Sequence, residues 1–225
     1  ADADLERAAS AGAGAAFFNA GQICSATEVV FAERSVQPEL ARLLTKEAEE
    51  VRLGPPEAPS TTMGPLNNDG VASKMDRHLT DARERGATFH IGGGRATGHG
   101  SDLFYEPTVL TDVPRESVLI TEESFGPLTP LVPFDDEADV LEWATAPQFG
   151  LVSSIWTRSA GRAIRVAEAM RTGIVNVNES SSYWEIHLPF GGGSGTYSGL
   201  GRIGGMHTLE AMTDLKTIAL DLRGL

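Results

Sequence analysis

Segments with helical patterning alternate with short apolar segments along most of this chain of 225 residues. The helical segments repeat apolar residues every three or four positions, and the short ones are rich in Val, Ile, Leu and Phe. We predict strands at 28–32, 88–91, 107–110, 128–134, 151–157 and 174–177, and helices at 3–20, 38–53, 69–85, 135–146, 160–171 and 207–212. This alternation predicts an α/β domain, with a largely parallel open sheet flanked by helices.

A last strand is expected at 215–220, after the glycine-rich stretch 191–205. That stretch separates the strand from the other elements, so we expect it to pair outside the main sheet. The chain is therefore divided into one domain over residues 1–206 and a C-terminal helix and strand over 207–225. The chain starts with Ala1 instead of Met, which we interpret as an excised or processed end.

The net charge and the cysteine content limit the classes of function that are expected for this chain. The net charge of -13 and the pI of about 4.8 argue against binding to nucleic acid or to a membrane surface. With Cys24 as the one cysteine, no intramolecular disulfide forms, which fits a reducing cytoplasm. We expect no metal site, because the five histidines lack metal-ligand spacing. Neither a membrane-spanning apolar run nor a secretory signal is present in the sequence.

Three stretches carry possible chemistry. Gly-Gln-Ile-Cys at 21–24 places Cys24 where a helix ends, which suits either a reactive thiol or a buried structural cysteine. In Glu-Ser-Phe-Gly-Pro at 123–127, Glu123 could accept hydrogen bonds from sugar hydroxyls and Phe125 could stack on a heterocycle. A solvated turn with a core phenylalanine is the alternative.

The third stretch joins a polar strand end at Asn178 to an aromatic loop with Tyr183 and to Pro-Phe-Gly-Gly at 189–192, which includes Phe190. It could line an apolar substrate tunnel or be a plain loop. Two other signals are rejected. The G-x-G-x-x-G pattern at 199–204 has no strand leading into it, and no G-x-S-x-G elbow of a serine hydrolase is present.

Taken together and in this order, the three stretches resemble the aldehyde dehydrogenase superfamily, and the resemblance covers nearly the whole chain. It implies that Cys24 attacks a small aldehyde, passing through a thiohemiacetal and a thioester to the carboxylic acid. NAD or NADP would be the cofactor, with Glu123 on the nicotinamide ribose and Phe125 beside the ring. Asn178, Tyr183 and Phe190 would border the substrate tunnel.

The chain also departs from the family pattern. A lysine expected soon after Pro-Phe-Gly-Gly is missing, and the usual Gly-Arg-Glu is Gly-Arg-Ile at 201–203. The Rossmann-like half is absent, and with it go most of the cofactor site, the general-base Glu and the oxyanion-holding Asn. We therefore expect no dehydrogenation by this chain alone.

Two alternatives to a hydrolytic dehydrogenase stay open: a coenzyme-A-acylating relative, and a non-catalytic fragment that acts as an assembly unit. The resemblance further implies that segment 215–220 joins an oligomerisation sheet in a homodimer or homotetramer. The alternative is that this segment folds back as the last strand of its own domain.

Overall fold

The computed structural model describes residues 2–145 and 148–224. Its helices are α1 (Leu5–Phe17), α2 (Gln37–Glu49), α3 (Asp69–Glu84), α4 (Val118–Thr121), α5 (Glu137–Thr145), α6 (Ala160–Ala169) and α7 (Gly205–Ala211). Its strands are β1 (Val30–Glu33), β2 (Thr88–Ile91), β3 (Thr108–Thr111), β4 (Leu128–Phe134), β5 (Val152–Ile155) and β6 (Ile174–Val177). The predicted α/β class is confirmed. The predicted end of α5, near residue 146, lies outside the described residues.

The strands form two sheets. The larger one has the order β1-β4-β3-β2, with β4 parallel to both β1 and β3 and β2 antiparallel at the edge. The smaller one pairs β5 with β6 in parallel. The largely parallel arrangement is as expected, but the single open sheet is divided, because no strand in the described ranges joins β1 to β5.

Helix α3 shows how local sequence fixes an element. The Asn68 side chain caps its start by accepting a hydrogen bond from the Val71 N–H at 3.1 Å. Gly86, whose φ of +87° is left-handed, follows its end. The apolar residues on its inner face recur at helical spacing and are fully buried: Ala72, Met75, Leu79 and Ala82.

The buried core lies between helices α1 to α3 and the larger sheet. Leu44, Met75, Leu110 and Leu131 are among its fully buried members. Among the described residues, no member of this core cluster lies beyond Leu131. The smaller sheet and helices α5 and α6 therefore add little buried apolar surface, although their sequences are rich in apolar residues.

The strand expected at 215–220 is not confirmed. The segment forms neither strand nor helix in this single chain, and its apolar side chains Leu215 and Ile218 are 103% and 81% exposed. A strand needs a paired neighbour, and no described strand lies beside this segment. The alternative in which it folds back onto its own domain disagrees with this exposure. Separately, no helix in the described ranges is long and apolar enough to cross a membrane.

Candidate active site

Cys24 lies on a tight reversal between α1 and β1. The helix was predicted to reach residue 20, but α1 ends at Phe17 because Asn19 and Ala20 adopt left-handed φ angles of 51° and 56°. Gly21 continues the reversal with a φ of 72°. The thiol that follows is exposed. The geometry therefore excludes the buried structural cysteine that the sequence left open.

Gln22 anchors this reversal to a neighbouring segment. Its side-chain NH2 donates to the Asn19 carbonyl at 3.0 Å, and its Oε1 accepts from the Asn67 N–H at 2.7 Å. The Asn19 side chain donates back to the Gln22 carbonyl at 3.0 Å. A glutamine supplies both a donor and an acceptor, which explains its use two residues before the thiol.

The turn at 123–127 packs directly against the Cys24 reversal. Phe125 adopts a left-handed φ of 57°, and Gly126 follows it. A Cβ atom added to Gly21 would lie 2.2 Å from the Gly126 carbonyl oxygen, so the two backbones are in van der Waals contact there. A glycine in each stretch thus brings together two motifs that lie about a hundred residues apart.

Glu28 holds the same turn through two further hydrogen bonds. Its carboxylate oxygens accept from the Ser124 and Phe125 N–H groups, each at 2.8 Å. Burial raises the pKa of Glu28, while the two backbone donors act in the opposite direction. Sequence alone does not identify this residue, because a glutamate at the start of a strand gives no signal of a partner so far along the chain.

His78 supports the turn from α3. Its ring is fully buried, with Nδ1 3.0 Å from the Ser124 hydroxyl and Nε2 3.4 Å from a Glu122 carboxylate oxygen. Burial lowers the pKa of His78, and the Arg77 guanidinium lowers it further. The ring is therefore held in its neutral form.

Glu123 is exposed, and within the described ranges its carboxylate has no hydrogen-bond or ion-pair partner. Glu122 beside it differs, since it pairs with Arg77 at 2.5 Å. Cys24 and Glu123 both line one groove of about 1120 Å³. The structure thus brings the predicted nucleophile and the predicted ribose ligand to one cavity, and it leaves the carboxylate available for a hydroxyl donor.

Asn178 occupies the expected strand end, but its side chain is fully engaged. Its Nδ2 donates to the Thr157 carbonyl and its Oδ1 accepts from the Thr157 N–H, both at 2.9 Å. It therefore ties the ends of β5 and β6 together. The described residues that line the groove do not include four of the predicted site residues: Phe125, Asn178, Tyr183 and Phe190.

Tyr183 and Phe190 lie on the exposed aromatic loop. The Tyr183 hydroxyl donates to Glu185 at 2.6 Å, and the Phe190 ring meets the Trp184 ring edge-on at 5.2 Å between centroids. At its base, the loop is fixed to the Cys24 reversal, because the Ser181 hydroxyl donates to the carbonyl of Ser25, at 2.8 Å. The loop thus starts next to the Cys24 reversal.

No group of three or more His, Cys, Asp or Glu side chains that could hold a metal ion occurs within residues 2–145 and 148–224. The chemistry that these residues support is that of an exposed thiol and an exposed carboxylate in one groove. Gln22, Glu28, His78 and Ser181 position these two groups.

The family model for the aldehyde dehydrogenase family matches residues 1–218. The chain is 37% identical to 3-sulfolactaldehyde dehydrogenase of Pseudomonas putida, over 97% of this chain and 44% of that protein. It is 36% identical to the NADP(+) succinate-semialdehyde dehydrogenase GabD of Escherichia coli strain K12, over 98% of this chain and 45% of that protein.

A solved structure agrees. Glyceraldehyde-3-phosphate dehydrogenase GapN from Methanocaldococcus jannaschii, in complex with NADP, superposes with a TM-score of 0.89 at 29% identity, over 96% of this chain and 46% of that one. The chain thus spans less than half the length of these relatives. From its motifs, its fold and the family match, the chain belongs to the aldehyde dehydrogenase family.

Proposed function

We propose that this chain is the cysteine-bearing part of an NAD(P)-dependent enzyme that oxidises a small aldehyde to a carboxylic acid. One observation carries the proposal: an exposed Cys24 and a Glu123 with no hydrogen-bond partner in the described ranges line the same groove, on turns that touch at Gly21 and Gly126. The names of the relatives support the reaction class, since they are aldehyde or semialdehyde dehydrogenases.

In the proposed mechanism the Cys24 thiolate attacks the aldehyde carbon and forms a thiohemiacetal. The Cys24 backbone N–H, which donates to no group among the described residues, would stabilise the oxyanion. A nicotinamide held beside Glu123 and Phe125 would supply the hydride acceptor for the thiohemiacetal carbon. Water then hydrolyses the Cys24 thioester, which releases the acid and restores the thiol.

Glu123 and Phe125 fit the nicotinamide end of the cofactor. An exposed carboxylate without a protein partner can accept hydrogen bonds from the ribose hydroxyls, and the half-buried Phe125 ring lies two residues away. We assign the adenine site, the general base and a second oxyanion donor to protein outside this chain. The choice between NAD and NADP belongs to that part as well.

Tyr183 and Phe190 are proposed to border the substrate, since their loop is anchored beside Cys24. Asn178 would act indirectly, because Thr157 engages both ends of its amide. We further infer that the longer enzyme works in the cytoplasm as a homodimer or homotetramer, and that segment 215–220 takes part in its assembly.

Acylation of the thiol tests the proposal. We expect p-nitrophenyl acetate to acetylate the folded chain at Cys24, with intact mass and peptide mapping as the readout, and we expect Cys24→Ser to remain unmodified. The same chain should form no NADH or NADPH from a panel of small aldehydes. The proposal fails if acetylation is no faster than that of the thiol in urea-unfolded chain. Robust NADH formation would contradict the assignment of the general base to a missing part.

A further inference from the structure

Three stretches of the chain surround the thiol, and their sequences contain no lysine and no arginine. They are residues 8–33, which carry the Cys24 reversal, residues 116–157, which carry the turn at 123–127, and residues 172–201, which carry the aromatic loop. The chain has 18 lysines and arginines among 225 residues, and these stretches make up more than two fifths of it. Their ionisable charge comes from aspartates, glutamates and one histidine, so walls built from them are acidic.

The three stretches meet at the thiol. Gly21, three residues before it, touches the backbone of the turn at Gly126. On the other side of the thiol, the Ser181 hydroxyl of the aromatic loop donates to the Ser25 carbonyl at 2.8 Å and lies 3.1 Å from the Thr27 hydroxyl. The charges of these stretches are therefore the charges that an aldehyde bound at the thiol would meet.

Helix α3 brings two cations to the turn, and acidic side chains offset both. Arg77 donates to the two carboxylate oxygens of Glu122, at 3.2 and 2.5 Å. Burial raises the pKa of Glu28, the nearby charge of Glu123 raises it further, and the charge of Lys74 lowers it. Lys74 thus faces one carboxylate of a neighbouring pair. Glu123 is exposed and forms no ion pair within the described ranges, so its negative charge is left uncompensated.

Arg7 contacts the third stretch, but far from the thiol. Its guanidinium donates to the Asn178 carbonyl at 3.4 Å and lies 5.8 Å from the centre of the Trp156 ring. Arg7 belongs to the first turn of α1, and the Cys24 reversal follows the last turn of that helix. At 1.5 Å per residue, about 15 Å of helix separate the two. A small aldehyde with its carbonyl carbon at the thiol does not span that distance.

The aromatic loop adds apolar surface and a further carboxylate. The side chains of Tyr183, Trp184 and Ile186 are all exposed. Glu185 accepts a hydrogen bond from the Tyr183 hydroxyl at 2.6 Å and contacts the His187 ring at 3.3 Å. Charge-assisted hydrogen bonds from arginine or lysine are the usual way to hold an anionic group, and the sequence of this loop offers neither residue.

We propose that the Cys24 site favours aldehydes whose tail is neutral or cationic, and that it discriminates against aldehydes that carry a second, anionic group. This inference rests on the proposed function, because it concerns the tail of the aldehyde that Cys24 attacks. Two of the relatives compared above are named for anionic aldehydes, 3-sulfolactaldehyde and succinate semialdehyde. On this inference, the substrate of this chain differs in charge from theirs.

Coulomb's law gives the expected size of the discrimination. One carboxylate about 7–10 Å from a charged tail, at the high dielectric of an open site, changes a reaction rate about two- to threefold. Glu123 acts in this way, and the charge of Glu28 adds to it where Lys74 does not offset it. At physiological ionic strength the Debye length is about 8 Å, so charges elsewhere on the surface contribute little.

Acylation of Cys24 by two esters tests the inference. p-Nitrophenyl butyrate has a neutral tail, whereas mono-p-nitrophenyl succinate has a carboxylate at the end of a tail of similar length. In both reactions the thiolate attacks the ester carbonyl, an S–acyl bond forms and p-nitrophenolate leaves. Rates are measured by intact mass at physiological ionic strength, and each is divided by the rate with N-acetylcysteine amide. We expect the succinate ester to be slower by at least about threefold in this normalised ratio.

Three variants identify the charge responsible. Glu123→Gln and Glu50→Gln each remove one negative charge, but Glu50 lies at the end of α2 and does not line the groove. We expect the first to reduce the discrimination about two- to threefold and the second to leave it unchanged. Ser182→Lys supplies a cation next to the reversal, since the Ser182 hydroxyl lies 3.4 Å from the Ser25 carbonyl oxygen. This variant should speed acylation by the succinate ester relative to the butyrate ester.

Three results would overturn the inference. Equal normalised rates for the two esters, or a faster succinate ester, would show that the site does not discriminate by charge, while the proposed function would stand. Equal effects of Glu123→Gln and Glu50→Gln would show that the net charge of the molecule causes the preference. If neither ester acylates Cys24, the proposed function fails and the inference fails with it.

Discussion

Glu28 and His78 hold one turn from two sides, and neither belongs to a motif. The Glu28 carboxylate accepts the N–H groups of Ser124 and Phe125, and the His78 ring meets the Ser124 hydroxyl. The left-handed conformation of Phe125 costs a non-glycine residue roughly 1–2 kcal/mol. A hydrogen bond contributes about 0.5–1.5 kcal/mol net, so the two bonds that Glu28 accepts together offset that strain.

The buried His78 makes stability depend on pH. Its pKa lies below the ordinary value of 6.5 in the folded chain, so the unfolded state binds more protons between the two values. The stability contributed by neutral His78 is therefore present above about pH 6.5 and is lost as the pH falls through the folded pKa. We expect the unfolding free energy, measured from the slowest amides of α3, to be lower at pH 5.5 than at pH 7.5.

A pair of variants separates this effect from general acid destabilisation. His78→Gln should flatten the pH dependence, whereas His187→Gln, on an exposed loop, should leave it as in the parent. The same slope in the parent and in His78→Gln would rule out His78 as the cause.

The Cys24 reversal and the turn at 123–127 are in direct contact. Two glycines allow a matched test of that contact. Gly21 and Gly86 both have left-handed φ angles, 72° and 87°. An added Cβ would meet the Gly126 carbonyl oxygen at 2.2 Å in the first case and nothing within 4 Å in the second. Gly86→Ala should cost about 1–2 kcal/mol, from conformation alone.

Gly21→Ala adds a backbone clash, so we expect a loss of about 3–5 kcal/mol and a changed rate of alkylation at Cys24. Amide exchange and iodoacetamide labelling are the measurements. Equal losses in the two variants, with labelling unchanged, would show that the two turns do not touch in solution.

The elements that sequence predicts well are those that local pattern determines. Strands β2, β4 and β6 begin and end where the pattern puts them, because apolar β-branched runs are bounded by turn residues. Helix α1 was predicted to end three residues too late, since alanine gives no warning of the left-handed Ala20. The expected strand at 215–220 is not confirmed in this single chain, because strand pairing needs a partner, which apolar alternation does not supply.

The residues of the candidate site likewise differ in whether local sequence predicts them. The order of the motifs identifies Cys24 and Glu123, because each lies in a motif that also contains a glycine, Gly21 in the first and Gly126 in the second. Glu28 and Ser181 stay hidden, because their bonds to Phe125 and Ser25 depend on how distant segments pack. Asn178 was placed correctly at a strand end, but its role depends on Thr157, which only the fold brings near.

At the scale of the whole molecule, residues 213–224 project from the rest with their apolar side chains exposed. We expect truncation after Met212 to leave the amide protection of the core unchanged, because the removed segment contributes no buried residue among those described. Any self-association of the full chain should fall, because an exposed apolar segment favours it. Light scattering over a range of concentrations measures the second effect.

A truncated chain that keeps the same assembly state but loses core protection would contradict this, because the segment would then belong to the fold. As a control, Leu215→Ser and Ile218→Ser in the untruncated 225-residue chain should lower self-association as truncation does.

Among the described residues, the core cluster has no member beyond Leu131, and this affects how cooperatively the chain unfolds. Two parts of a chain unfold together only if they share enough buried contact, and the described residues after Leu131 contribute no member to the core cluster. We therefore expect heating to open that part first, so that the chain unfolds in more than one transition. All three tryptophans, Trp143, Trp156 and Trp184, lie in that part. Their fluorescence reports its opening while the core around Met75 is still folded.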